Sequence, residues 1–552
     1  MKILKYLILL ISFVANAQDL SHIKEQKAFD VSGGLQTRVN YYDTSDTITS
    51  LQPFSYMFTL NVAPSIYGIS FPMSIAYSEK NTAFAQPFYR FGISPSYKWI
   101  KLNLGHRYAR FSQYTVSGLK FLGAGIELQP KKFRFGFIYG SFLRQRNFRT
   151  VYPGDDLNTE QYSRRGFAAK IGYGSRNNFF DIILTKISDK DFPPVDSIKF
   201  YPQANLVLGM HMRFRITKNT RFEAEAAGSV FTRNLHAGAV NTADLSDFER
   251  KWVDFSQINT SSYLATVVDA RLDQTFKSFK LGLQYKRVDP GYKSMGTYSI
   301  RDDYESYMLN LGYNGKKFSI NTGIGKARDN LNNQKMAQTN RLITRLNLSY
   351  RPVNSFTLQA SYNNFSTKQT EGRLPLNDTI RIYQANQTLS IIPQLRLVNK
   401  KRAHIILLNY TYTGMTDKNP YSETKIPVQS NVGFVQYNYQ NLSGKYGVSF
   451  NVTYTSMKSK LTQVTTLGPF LAFQKSFAKN KFSLQTGAGY FRVSANDVNS
   501  DITKAQLNLT YKIGKKQYLK LNLITNRNLS AGRSHAYTRN YTRSMLVYGL
   551  RF

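Results

Sequence analysis

The sequence predicts an all-β protein: one large, single-chain transmembrane antiparallel β-barrel of about 26 strands, with no plug domain. Three observations carry this expectation. Side chains alternate apolar and polar at every second position, in stretches of roughly ten to fifteen residues, from about residue 30 to the end. No stretch holds about 20 consecutive apolar residues, so no membrane-spanning helix competes with the alternation. Pro, Gly and Ser nowhere cluster into a linker that would divide the 552 residues into domains.

Residues 1–17 have the layout of a secretory signal peptide. Lys2 and Lys5 make a basic start, Tyr6 to Val14 an apolar core, and Ala15-Asn16-Ala17 a small-x-small cleavage site. Cleavage leaves Gln18 first, followed by a short periplasmic segment, 18–29, and then the barrel, 30–552. About a dozen residues before the first strand leave no room for a plug. The chain has no Cys, which excludes disulfides, Cys-ligated metals and a lipid-modified N-terminal Cys.

Alternation is plain at several places. In 206–216, Leu206, Leu208, Met210, Met212, Phe214 and Ile216 share one face, and Gly209, His211, Arg213 and Arg215 the other. In 279–286, Phe279, Leu281, Leu283 and Tyr285 oppose Lys280, Gly282, Gln284 and Lys286. Residues 341–350 and 446–454 repeat the pattern, and Tyr or Phe bounds the apolar stripes as at the two bilayer interfaces. Short turns are expected at Gln129–Lys132, Gly174–Asn178, Ile216–Asn219, Arg351–Ser355, Asn399–Arg402, Phe477–Asn480 and Ile513–Lys516. Longer polar loops, among them 145–160, 189–202, 232–260 and 289–302, lie between them. Short periplasmic turns and long surface loops are the asymmetry of a bacterial barrel.

The last nine residues, Ser544 to Phe552, place Leu546, Tyr548, Leu550 and Phe552 on one face. This stretch resembles the closing strand of an outer-membrane β-barrel, in which a terminal aromatic is part of the signal read by the barrel-insertion machinery. Tyr548, Leu550 and Phe552 would be that signal here. The stretch 84–140 carries Gln86-Pro87-Phe88, Gly92-Ile93-Ser94-Pro95-Ser96-Tyr97-Lys98-Trp99 and Gly123-Ala124-Gly125-Ile126-Glu127-Leu128. It resembles a family of outer-membrane β-barrels from the Bacteroidota. The resemblance implies a fold and a place, the bacterial outer membrane with its lipids and lipopolysaccharide, and brings no catalytic residue with it.

Net charge is +40, and few of these cations can face lipid, where a basic residue costs about 2–4 kcal/mol at the midplane. Alternation puts Lys101, Arg107, Arg134, Arg213, Arg215, Lys280, Lys286, Arg341 and Arg345 on the inner face. A basic lumen concentrates anions or binds an acidic partner. Some of these cations are expected to pair with inner carboxylates such as Glu223, Glu225, Asp269 and Asp273. An exported barrel without a recognition motif excludes nucleic acid as the partner.

The six His are scattered, and no HExxH, CxxC or GxSxG motif occurs. No catalytic residue, metal or cofactor is therefore expected, and the chain reads as a non-enzyme. In the loop 232–260, Leu245, Phe248, Trp252 and Phe255 recur at helical spacing behind a capping box made by Ser246 and Glu249. Such a helix folds into the barrel mouth, lies on the membrane or contacts a partner.

About 26 strands enclose a bore roughly 50 Å across if round, which would breach the membrane. Infolded loops, a flattened section or a separate polypeptide must reduce it. The expected function is a conduit or assembly barrel that works with a protein partner helping to fill or cover the lumen. The alternatives are a passive anion-preferring porin and a membrane anchor for a surface-exposed protein.

Overall fold

The structure, a computed structural model, describes residues 27–45, 53–67, 69–78, 90–143, 162–190, 201–375, 381–421, 427–496, 498–531 and 536–552. The expected signal peptide, most of the segment 18–29, the motif Gln86-Pro87-Phe88 and nearly all of the loops 145–160 and 189–202 lie outside these residues.

Every strand pairs antiparallel with its neighbours in sequence, and the 28 strand segments form one sheet. Ile69–Ser70 with Met73–Ser78, and Arg90–Ile93 with Ser96–Tyr97, are each one wall strand interrupted at a proline. Pro72 and Pro95 supply no N–H to a ladder, which breaks pairing locally. The wall is thus 26 strands. Closure comes from Phe29–Thr44 against Ala536–Arg551, in register from Gly34↔Arg551 to Thr44↔Tyr541. The Gly33 and Phe552 backbones exchange hydrogen bonds of 3.0 and 3.2 Å just beyond that ladder. A Cβ on Gly33 would stand 2.9 Å from the Phe552 ring, so the missing side chain lets the terminal aromatic lie against the first strand.

One end carries tight turns, such as Lys277-Ser278 between Ser262–Phe276 and Phe279–Val288. The expected turn Arg351–Ser355 is shorter than the sequence suggested. The strand Ala337–Val353 runs through Arg351, whose N–H donates to the Lys317 carbonyl, and only Asn354-Ser355 turn.

The two faces of the wall differ as alternation requires. Ile182, Leu208, Leu283, Tyr307 and Leu311 point outward and are exposed. The inward face carries an ionisable row running across neighbouring strands: Asp181↔His211, His211↔Glu225, Glu225↔Asp269, Asp269↔Lys286. A closed sheet with an apolar exterior and a polar bore satisfies every ladder hydrogen bond within lipid. Such a wall suits a lipid bilayer.

Candidate functional site: the inner wall

The bore is not lined uniformly. The six residues Phe111 to Val116 join Ile100–Arg110 to Ser117–Leu128 and turn inward. Ser112 Oγ accepts the N–H groups of Tyr114 (3.3 Å) and Thr115 (3.2 Å), a hydroxyl-capped turn that aims Tyr114 across the bore. Tyr114 then donates to Asp269 Oδ2 at 2.7 Å, and the Gln113 N–H donates to Glu225 Oε2 at 2.8 Å. A second segment, between Phe279–Val288 and Tyr304–Asn314, meets the first. Tyr292 donates to the Tyr114 carbonyl (2.9 Å), Ser294 to the Thr115 carbonyl (2.6 Å), and the Met295 N–H to Asn205 Oδ1 (3.0 Å).

The two segments and the wall enclose an apolar core inside the barrel. Phe111, Val116, Phe121, Ile138, Ile183 and Met295 form one buried cluster, and Tyr114, Val207, Val267 and Tyr292 belong to another. Gly136 makes the fit possible, since a Cβ there would stand 2.9 Å from the Phe111 ring. Gly209 does the same under Thr115. Strand alternation does not reveal this block. Its signal was present in Phe111, Tyr114 and Val116, three apolar groups in a connection too short to cover them.

The nine predicted inner cations divide into three groups. Lys101 meets Glu127 (2.9 Å), Arg134 makes a two-pronged pair with Asp181 (2.7 and 2.8 Å), and Arg213 meets Glu223 (2.6 Å). Arg107 donates to the Pro72 carbonyl (2.9 Å), Lys286 lies over the Tyr114 ring, and Arg341 over Phe365. Arg215, Lys280 and Arg345 have no carboxylate partner among the described residues; they line one recess of about 540 Å³ together with Lys218, Arg221 and Arg271. Gly282, Gly312 and Gly323 form part of its floor, and a Cβ on each would stand 2.8–3.0 Å from Asp273, Asn321 or Asn310. Of the four expected inner carboxylates, Glu223 and Asp273 pair with Arg221 and Arg271 beside this recess. Glu225 and Asp269 instead hold the infolded block. His211 stands 3.2 Å from Glu223 and 3.6 Å from Glu225.

The expected helix forms as α1, Asp247–Ser256, with Ser246 and Glu249 closing the capping box. It does not enter the mouth. Phe255 lies 6.4 Å from Phe167, and the Lys186 ammonium is 4.4 Å from the Phe255 ring. Phe167 pairs with Lys186, and Lys186 with Leu206, on the outward face. The helix therefore sits outside the wall. Leu206 is only 4% exposed beneath it, whereas outward-facing Leu208 is 52% exposed. Thr232, also outward, fixes the direction by donating to the Gln257 carbonyl just past the helix (3.0 Å). Phe248 and Trp252 remain exposed, and Leu245 is half-buried. At the seam, Tyr548 and Leu550 are paired into both neighbouring strands, and Phe552 abuts Gly33.

No protein-family model matches the sequence, and no curated protein matches it. Among solved structures, the chain is similar to the translocation pore of the P pilus usher PapC (10% identity, 95% of this chain and 99% of that one, TM-score 0.37). It is also similar to the FrpB iron transporter of Neisseria meningitidis (10% identity, 97% and 83%, TM-score 0.41) and to OccAB2 of Acinetobacter baumannii (10% identity, 95% and 98%, TM-score 0.30). These superpositions are loose, and nothing about cargo passes from those proteins to this chain.

Proposed function

We propose that this barrel is a conduit through the outer membrane, narrowed on one side by its own loops and completed on the other by a protein partner. The observation that carries this is the asymmetry of the bore. The infolded block covers the inner face near Ser117–Leu128 through Phe279–Val288. The opposite wall presents neutral amides in register, Gln436↔Asn451 and Gln474↔Gln485↔Asn508↔Asn522, with no described segment folded over them. Each amide offers both donors and acceptors, so such a wall can exchange hydrogen bonds with a polypeptide backbone without a desolvated charge.

Gentle extraction from native membranes tests the proposal. A protein should co-purify with the wild-type barrel and be lost from Gln436→Ala/Gln474→Ala/Gln485→Ala, with barrel closure intact. If nothing co-purifies and the isolated barrel shows a large, steady conductance in planar bilayers, the conduit acts alone. The recess lined by Arg215, Lys280 and Arg345 favours that second reading, an anion-preferring porin, because unneutralised cations on a wall raise local anion concentration.

A further inference from the structure

We infer that the outer rim beside α1 is a binding site for the phosphate groups of an outer-leaflet lipid, with the helix as an interfacial anchor. The wall here departs from the lipid-facing rule. Arg165 is paired with Ser188, and Lys186 and Lys190 lie two residues to either side of Ser188. All three therefore project from the outward face, as diagonal cross-strand neighbours. Arg165 and Lys190 are exposed, Lys186 is half-buried, and none has a carboxylate partner among the described residues. Outward cations are costly at the membrane midplane and tolerated near the headgroups. These three stand at the loop-side ends of Ser163–Gly174 and Phe179–Lys190, level with or above the uppermost apolar row, Phe167 and Leu206.

The helix supplies the apolar half of the site. Phe248, Trp252 and Phe255 follow at helical spacing; Phe255 is docked on the wall, and Trp252 lies 5.6 Å from it. Phe248 is 76% exposed on the exterior of the barrel, beside the outward apolar row of Phe167 and Leu206. Aromatic side chains beside cations suit the headgroup boundary, where rings enter the acyl region and cations meet phosphate. The helix acids do not cancel the wall charge. Asp247 lies 3.8 Å from Arg250, and Glu249 is engaged by Ser246. Asp254 is exposed and makes no ion pair with the wall. The occupant that fits is a phosphorylated lipid, because a free anion leaves Phe248 and Trp252 in water and an uncharged lipid leaves three cations unanswered.

The chain has two tryptophans, and Trp99 lies at the opposite, turn-side end, so Trp99→Phe makes Trp252 the sole indole reporter. Titrating this full-length barrel in detergent with bisphosphorylated lipid A should shift Trp252 emission to the blue. Dephosphorylated lipid A should bind more weakly, and Arg165→Gln/Lys186→Gln/Lys190→Gln should weaken binding of the phosphorylated lipid by about a hundredfold, the loss of three charges at a membrane surface. Lys190→Gln alone, at the rim, keeps the test independent of folding and should cost about fivefold. Equal binding of both lipids, or no loss in the charge variants, overturns the inference. So does displacement of the lipid by millimolar inorganic phosphate, which would indicate a free-anion site. Self-association abolished by Phe248→Ser/Trp252→Ser also overturns it, by assigning the helix face to a second copy.

Discussion

Tyr114 and Asp269 lie 155 residues apart and meet inside the barrel, where the phenol donates to the carboxylate at 2.7 Å. That bond joins a loop between two early strands to a wall strand beyond the exterior helix, and Gln284 shares the same carboxylate at 3.0 Å. It anchors the block that narrows one side of the bore.

Removing this anchor should open the bore without preventing closure. Tyr114→Phe deletes one hydrogen bond and leaves Asp269 with Gln284, a local cost of about 1–3 kcal/mol. The expected outcome is a higher or noisier single-channel conductance with unchanged heat-modifiable gel mobility. Unaltered conductance would mean that the block does not limit the path.

Charge reversal is best aimed at the cations that have no carboxylate partner among the described residues. Arg215→Glu/Lys280→Glu/Arg345→Glu should move ion preference from anion toward cation. Each charge is worth about 1 kcal/mol to an ion ~4 Å away in water, so the permeability ratio should swing by more than about tenfold. The swing should shrink as salt rises, because these groups are hydrated. The same reversal at Arg134 or Arg213 should instead damage folding, since each would leave a carboxylate facing another carboxylate. Reversal potentials across a salt gradient distinguish the two sets.

The seam depends on a glycine as much as on the last residue. Gly33→Leu should obstruct the Phe552 ring and lower the amount of inserted barrel, as should Phe552→Ala, which removes the ring itself. Quantifying heat-modifiable barrel in isolated outer membranes checks both. A Cβ at Gly33 would also crowd the Asn61 carbonyl oxygen, so a loss with Gly33→Leu that Phe552→Ala does not share would point to that strand contact, and normal levels would show that ring and carbonyl both give way.

A loop latch should respond to acid. Burial acts to raise the Asp303 carboxyl, but its hydrogen bond and ion pair with Lys335 and the N–H groups of Asn330 and Leu331 outweigh it and hold the group below its ordinary 3.8. A carboxylate with a depressed native pKa contributes stability that is fully present above the unfolded value and lost as pH falls through the folded one. The latch between the loops at 289–303 and 329–336 should therefore be indifferent to pH above about 5 and release below 3.8. Hydrogen exchange at Asn330 and Leu331, followed with pH, should show this transition in the wild type. In Asp303→Asn both amides should exchange faster than in the wild type above the transition and at the wild-type rate below it, without the acid step.

Much of the wall was legible in the sequence because strand alternation is a local property. Residue parity alone put Leu208 and Leu283 in lipid and Arg213 and Lys280 in the bore, and no distant contact was needed to decide it. The capping box fixed α1 for the same reason, since Ser246 and Glu249 are three residues apart. Tertiary structure decided what parity leaves open. Whether Arg134 is neutralised depends on Asp181, two strands away across Gly172, and Lys280 has no carboxylate partner among the described residues because glycines, Gly312 among them, stand beside it on the inner face. The contact of Tyr114 with Tyr292 and Asp269, and the placement of α1 outside rather than inside the wall, exist only once the ring of strands has closed. Closure sets which faces of distant loops can meet, and no spacing along the chain encodes that distance.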